Sequence, residues 1–69
     1  MVEIFKTNIR RKGISEEVIR ILRERFPNYR VNFDLEDRDK ILRVEAEYLK
    51  PSEIMRALRN AGVACEIIR

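Results

Sequence analysis

The 69-residue chain has no histidine and no tryptophan, and it has a single cysteine, Cys65, which cannot form an internal disulfide. These absences exclude most common zinc and copper sites, a Cys–His nucleophile pair and a histidine acid–base centre. No apolar run approaches the roughly 20 residues of a transmembrane helix, and nothing at the N-terminus resembles a signal peptide. We therefore expect a cytoplasmic protein with no membrane partner and no cofactor.

Charge is what the chain has in abundance, because charged residues make up 39% of it and its net charge is +3. Acidic and basic residues are interspersed, unlike the block of like charge that is typical of a nucleic-acid-binding arm.

The length predicts one domain over residues 1–69. Its core should be small, since a domain of about 60 residues buries only about 60% of its unfolded surface.

Four segments alternate apolar and polar residues with the period of a β-strand, and we predict strands at 2–9, 29–35, 41–47 and 63–68. The residues predicted to face inward are Phe5, Thr7, Ile9, Tyr29, Val31, Phe33, Leu35, Leu42, Val44, Ala46, Val63, Cys65 and Ile67. The other face of each strand is mostly polar, so one face of the sheet should be buried. The polar segment 36–40 has the length of a hairpin turn.

Two helices are predicted between these strands. Ser15 is the expected N-cap of the first helix, Ile14 before it is spaced as a hydrophobic staple, and Pro27 ends the helix. Its predicted buried stripe is Val18, Ile19, Leu22 and Phe26. Pro51 occupies the first position of the second helix, and Gly62 is the glycine expected after its end. The predicted buried stripe of this helix is Ile54, Ala57, Leu58 and Ala61.

The order strand, helix, strand, strand, helix, strand predicts an α+β fold. A sheet with one buried face and two helices with single apolar stripes combine most simply as a two-layer sandwich. We therefore predict a ferredoxin-like βαββαβ sandwich, in which both helices cover one face of a four-stranded antiparallel sheet.

Three segments resemble the heavy-metal-associated domain family, which includes small copper chaperones and the metal-binding domains of metal-transporting ATPases. Phe5-Lys6-Thr7-Asn8-Ile9 resembles the first strand of the family, and Asp39-Lys40-Ile41-Leu42-Arg43-Val44-Glu45 resembles its third strand. Ala61-Gly62-Val63 resembles its junction between the second helix and the last strand. The resemblance covers nearly the whole chain and implies the same ferredoxin-like fold.

The chain departs from this family at the metal motif M-x-C-x-x-C, whose two thiolates hold Cu(I) in the loop before the first helix. Here Arg11 stands in place of the first cysteine and Ile14 in place of the second, while Gly13 is kept. Val63 lies where many members carry Tyr or Phe. A guanidinium cannot ligate a cation and isoleucine has no donor atom. The resemblance therefore implies a degenerate member that has lost its metal motif.

The candidate site is the loop before the first helix, which we call the basic loop. It consists of Arg10, Arg11, Lys12 and Gly13. Three cations ahead of a helix N-terminus favour an anionic partner, although the two glutamates after Ser15 should partly cancel this field. We expect a non-enzymatic interaction module whose basic loop meets an acidic protein surface, with Gly13 allowing close backbone approach. The alternative is a solvated charged loop without a partner.

Three other functions fit the sequence less well. Residual copper binding would use Cys65 together with ligands from a partner, but its inward position favours a small core residue. An RNA-binding module would need outward aromatic residues on the central strands, and the outward residues predicted there are aliphatic, polar or charged. Catalysis has little support, because no carboxylate pair is placed beside a base or an oxyanion donor. Arg11 superficially resembles the loop arginine of acylphosphatases, without a matching loop sequence or partner asparagine.

Overall fold

The computed structural model describes residues 1–34, 36 and 38–68. Its elements are β1 (Val2–Thr7), α1 (Lys12–Arg25), β2 (Arg30–Asp34), β3 (Ile41–Glu45), α2 (Pro51–Asn60) and β4 (Cys65–Ile68). The predicted element order is confirmed, although β1 ends at Thr7 and β3 at Glu45, two residues earlier than expected in each case, and β4 begins two residues later than expected. The inward position predicted for Leu35 and part of the predicted turn lie outside the described residues.

The four strands form one antiparallel sheet in the order β2-β3-β1-β4. This arrangement confirms the predicted α+β fold with the strand order of a ferredoxin-like sandwich. In the register of the sheet, Phe5 of β1 lies between Leu42 of β3 and Ile67 of β4. Neither helix in the described part of the chain has the length and apolar character needed to cross a membrane.

The core lies between one face of the sheet and the two helices. Its most deeply buried large side chains are Phe5, Leu22, Leu42, Val44, Ile54 and Leu58. They come from β1, β3 and both helices, and all of them belong to the inward sets predicted from periodicity. Tyr29, Phe33, Cys65 and Ile67 are half-buried around this core. The core therefore fixes the sheet and helices that carry the connecting loops.

The predicted start of α1 is wrong. The helix begins at Lys12, and Arg11 takes the N-cap position with extended backbone angles (φ −103°, ψ 133°) and no side-chain hydrogen bond to the helix. Ser15 lies inside the first turn on the buried face, where its Oγ donates to the Lys12 carbonyl at 2.7 Å. Ile14 is then a helical residue that remains 46% exposed, so it does not form the predicted staple.

The second helix begins and ends as predicted, but one residue of its predicted buried stripe is exposed. Pro51 begins it, and Gly62 after it takes a left-handed backbone conformation (φ 81°). Ala61, however, is exposed rather than part of the buried stripe. The last turn is tightened, because the Ala61 N–H donates to the carbonyls of both Ala57 (3.1 Å) and Leu58 (3.0 Å). Ala61 is the C-cap, one residue beyond the end of the helix at Asn60, so it is not part of the helical stripe.

Candidate functional site

The three cations of the basic loop are exposed at the N-terminus of α1. Arg11 is the N-cap and Lys12 the first helical residue, and the first turn contains no acidic side chain. No ion pair within the described part of the chain involves Arg10, Arg11 or Lys12. The unpaired N–H groups of a helix start carry a partial positive charge of their own. The loop charges therefore add to the helix field.

The glutamates expected to cancel this field lie further along α1 than predicted. Glu17 is held by Arg20, which donates to it through Nε (3.2 Å to Oε2) and through a second guanidinium nitrogen. These hydrogen bonds lower the pKa of Glu17, and Arg20 also donates to Glu24 at 2.8 Å. Glu17 is therefore paired with Arg20 and not with a cation of the basic loop. Glu16, four residues after Lys12 on the same helix, still offsets part of the positive charge there.

The tertiary structure brings further cations to Arg10. A concavity of about 520 Å³ is lined by Lys6, Thr7, Asn8, Arg10, Arg38, Asp39 and Lys40. Lys6 forms an ion pair with Asp39, with Nζ and Oδ1 at 3.8 Å. Sequence reasoning missed Arg38 and Lys40, although the predicted sheet topology implies that they lie near Arg10. Because β1 and β3 are antiparallel neighbours, the turn before β3 lies at the same end of the sheet as the loop after β1.

Thr7 holds the base of the loop. Its side chain is 7% exposed, and its Oγ1 donates to the Lys40 carbonyl at 2.7 Å and accepts from the Ile9 N–H at 3.3 Å. Asn8 fixes the other side, since its Oδ1 accepts from the Ala64 N–H and its own N–H donates to the Ala64 carbonyl, both at 3.1 Å. The basic loop thus starts from a segment tied to both neighbouring connections.

A second concavity, of about 280 Å³, lies between the start of α1 and the junction of α2 with β4. We call it the apolar notch, and its lining is Asn8, Ile9, Arg10, Arg11, Ile14, Ala61, Gly62 and Val63. Ile9 and Val63 are buried at 2% and 6% exposure, whereas Ile14 and Ala61 are exposed. Gly62 adds no side chain to it, and a Cβ built at this position would meet nothing within 4 Å. The notch therefore combines an aliphatic lining with two arginines.

Cys65 is a half-buried residue of β4 that lies beside Thr7, at the base of the loop, in the register of β1 and β4. Burial raises the pKa of its thiol, and the positive charge of Arg59 acts in the opposite direction. The thiol is therefore a poorer source of thiolate than an exposed cysteine. Within residues 1–34, 36 and 38–68, no group of three or more His, Cys, Asp or Glu side chains is placed to hold a metal ion.

The open face of the sheet carries aliphatic and charged side chains on its central strands. Ile4 lies beside Arg43, and Lys6 lies beside Ile41, in the register of β1 and β3. Phe5, the aromatic residue of β1, is fully buried on the opposite face. The stacking platform that RNA-recognition domains use is therefore not formed by these two strands.

The basic loop and the apolar notch carry groups that can bind an anion. Guanidinium groups can hold a carboxylate through two parallel hydrogen bonds, and Arg10 and Arg11 present two such groups beside an aliphatic surface.

The chain matches no model of a known protein family, and it matches no curated protein.

Proposed function

We propose that this chain is a non-enzymatic interaction module that docks an acidic protein surface through its basic loop. It would be a degenerate heavy-metal-associated domain that works in the cytoplasm. One observation carries the proposal: the exposed cations Arg10, Arg11 and Lys12 stand without ion-pair partners, among the residues described, at a helix start with no acidic residue in its first turn.

Folding does not account for these cations. A positive side chain at a helix N-terminus opposes the helix dipole, and such an interaction is worth about 0.3–1 kcal/mol at an exposed site. Arg11 also occupies an N-cap position, where Asp, Asn or Ser would satisfy a free N–H group. A sequence that departs from local preference without a gain in stability is expected at functional sites. Binding of a carboxylate-bearing partner would supply the missing counter-charge.

The acidic surface of the partner would mainly raise the rate at which the two proteins associate. Exposed charges at the edge of an interface raise the association rate and make it sensitive to salt, while adding modestly to affinity. Arg38 extends the positive surface from Arg10 into the neighbouring concavity, where the charge of Lys6 is offset by its ion pair with Asp39. The positive surface is therefore broader than the loop itself, which favours a protein surface bearing several carboxylates.

The test is an amide NMR titration with the acidic peptide EEDSDEE, which carries negative charge and no apolar side chain. The loop variant replaces Arg10, Arg11 and Lys12 with Gln. A matched control replaces Arg23, Arg25 and Lys50 with Gln, which also removes two arginines and one lysine. These control residues are exposed at the opposite end of the helical layer. Each titration is run at about 10 mM salt and again at about 150 mM, where the screening length falls to about 8 Å.

We expect shifts centred on residues 8–15 that weaken with salt, disappear in the loop variant and persist in the control variant. Equal loss in both variants would mean that only net charge matters, and the loop would not be the contact surface. Shifts centred away from residues 8–15 would have the same consequence. Reversing all three loop cations to Glu should abolish binding altogether.

A further inference from the structure

Two aliphatic residues that the sequence pattern places in packed positions are exposed, and both line the apolar notch. Ile14 was expected to pack against α1 as a staple, yet it is 46% exposed. Ala61 was expected in the buried stripe of α2, yet it is exposed after the tightened last turn. Ile14 and Ala61 are far apart in the sequence, and both line the same concavity.

The notch combines aliphatic and polar surface in nearly equal shares. Its buried floor is aliphatic, from Ile9 and Val63, and Ile14 forms a half-exposed aliphatic wall. Arg10 and Arg11 border it. Interfaces typically surround a desolvated apolar anchor with polar residues that exclude water.

We infer that the partner of the basic loop is an acidic segment with an aliphatic side chain at its centre, and that this side chain inserts into the apolar notch against Ile14. The inference rests on the proposed function and names the chemistry of its partner. Carboxylates on either side of the inserted residue would face Arg10 and Arg11. Ile14 is then the anchor of the contact, and the arginines supply its orientation.

Charge complementarity selects this occupant over two others. A second copy of the chain carries the same net charge of +3 and would present the same cationic end, so the two notches would repel each other. A nucleic-acid backbone would satisfy the arginines but would leave Ile14 and Ala61 without an apolar partner. An acidic segment with a central aliphatic residue satisfies both parts of the notch.

The experiment compares the peptide EEDLDEE with EEDSDEE, which has the same charge, by fluorescence anisotropy on the whole chain. Leucine should bind about 3- to 10-fold more tightly than serine, which corresponds to partial burial of one aliphatic side chain. Ile14→Ala should reduce this preference to less than about twofold, because it removes the wall that leucine contacts. Ile68→Ala is the matched control, since Ile68 is 41% exposed on the sheet, opposite Ile4 in the register of β1 and β4.

Both isoleucine variants should stay folded, because each truncates a side chain that is already substantially exposed, and thermal unfolding checks this. As a second variant, Ala61→Glu places a carboxylate on the wall of the notch and should weaken both peptides. Equal affinity for the two peptides, with binding still lost in the loop variant, would refute the apolar anchor and leave the proposed function standing. Binding that does not depend on the loop cations would refute both.

Discussion

Replacing Arg11 with Asp should stabilise the domain while it weakens the binding of an acidic partner. Arg11 holds the N-cap position of α1 with extended backbone angles, and its side chain makes no hydrogen bond to the helix. Its carbonyl already accepts from the Ile14 and Ser15 N–H groups, both at 3.1 Å. The N–H of Gly13, the second helical residue, is among those that a helix leaves without an internal partner. An aspartate at position 11 can accept from it.

The expected gain has two parts. A side-chain cap in place of a residue that does not cap contributes about 1 kcal/mol, within a range of 0.5–2. Removing a positive charge from the helix start and adding a negative one each contribute about 0.3–1 kcal/mol. Because the site is exposed, we place the total near the lower end, at about 1–2 kcal/mol. For a domain of 60–100 residues, 1 kcal/mol shifts the melting temperature by about 4–8 °C.

Thermal unfolding of four proteins separates the two parts. Relative to wild type, Arg11→Gln removes the charge alone, Arg11→Asn also adds the cap, and Arg11→Asp further adds negative charge. Stability should rise in that order at low salt. High salt should shrink the contribution of charge and leave that of the cap, since exposed charges are screened and a hydrogen bond is not.

An unchanged or lower melting temperature for Arg11→Asp at low salt would refute the reasoning. It would mean that Arg11 is not the N-cap, or that its side chain makes a stabilising contact. A stabilised variant that binds EEDSDEE as tightly as wild type would instead leave the helix start correct and contradict the proposed function. The two readouts therefore test the local geometry and its role independently.

Three further predictions concern single residues near the site. Gly13→Ala should stabilise α1 by about 0.4–1 kcal/mol, because a Cβ there meets nothing within 4 Å and the unfolded chain loses conformational freedom; calorimetry measures this. The same change should weaken peptide binding, measured by anisotropy, if Gly13 allows close approach of the partner to the backbone. Thr7→Val should destabilise the domain by about 1–3 kcal/mol, because the buried Ile9 N–H loses its acceptor. The Lys40 carbonyl loses the Thr7 hydroxyl but keeps the Thr7 N–H as a donor. Unchanged hydrogen exchange at Ile9 would contradict this. Burial raises the pKa of the Cys65 thiol above its ordinary value. The contribution of this thiol to the free energy of unfolding should therefore be complete below the unfolded-state pKa and lost as pH rises through the folded-state pKa. In urea titrations, Cys65→Ala should reduce the fall in stability at alkaline pH.

Periodicity was a sound guide to the core because it sums over many residues. The alternation in each strand and the spacing of apolar residues in each helix placed Phe5, Leu42, Ile54 and Leu58 correctly inside. A misplaced strand would have exposed several such side chains at once, so the burial of a whole face outweighs any local preference. The element order, and with it the sandwich, follows from these patterns.

Helix ends were less predictable because they depend on few interactions. Ser15 is a good N-cap by type, but its hydroxyl lies on the buried face and bonds the Lys12 carbonyl instead. The helix gains a further turn of backbone hydrogen bonding by beginning at Lys12, although Arg11 is a poor cap. A cap contributes only about 1 kcal/mol, so packing of the first turn can override it.

The sequence by itself determined the order of the strands and helices, most of the inward-facing residues and the three cations of the basic loop. Only the tertiary structure placed Arg38 and Lys40 beside Arg10, because their proximity depends on the antiparallel pairing of β1 with β3. The tertiary structure also decided that Ile14 and Ala61 stay exposed around one notch. Contacts between residues distant in sequence are absent from local patterns, and the site is built from such contacts.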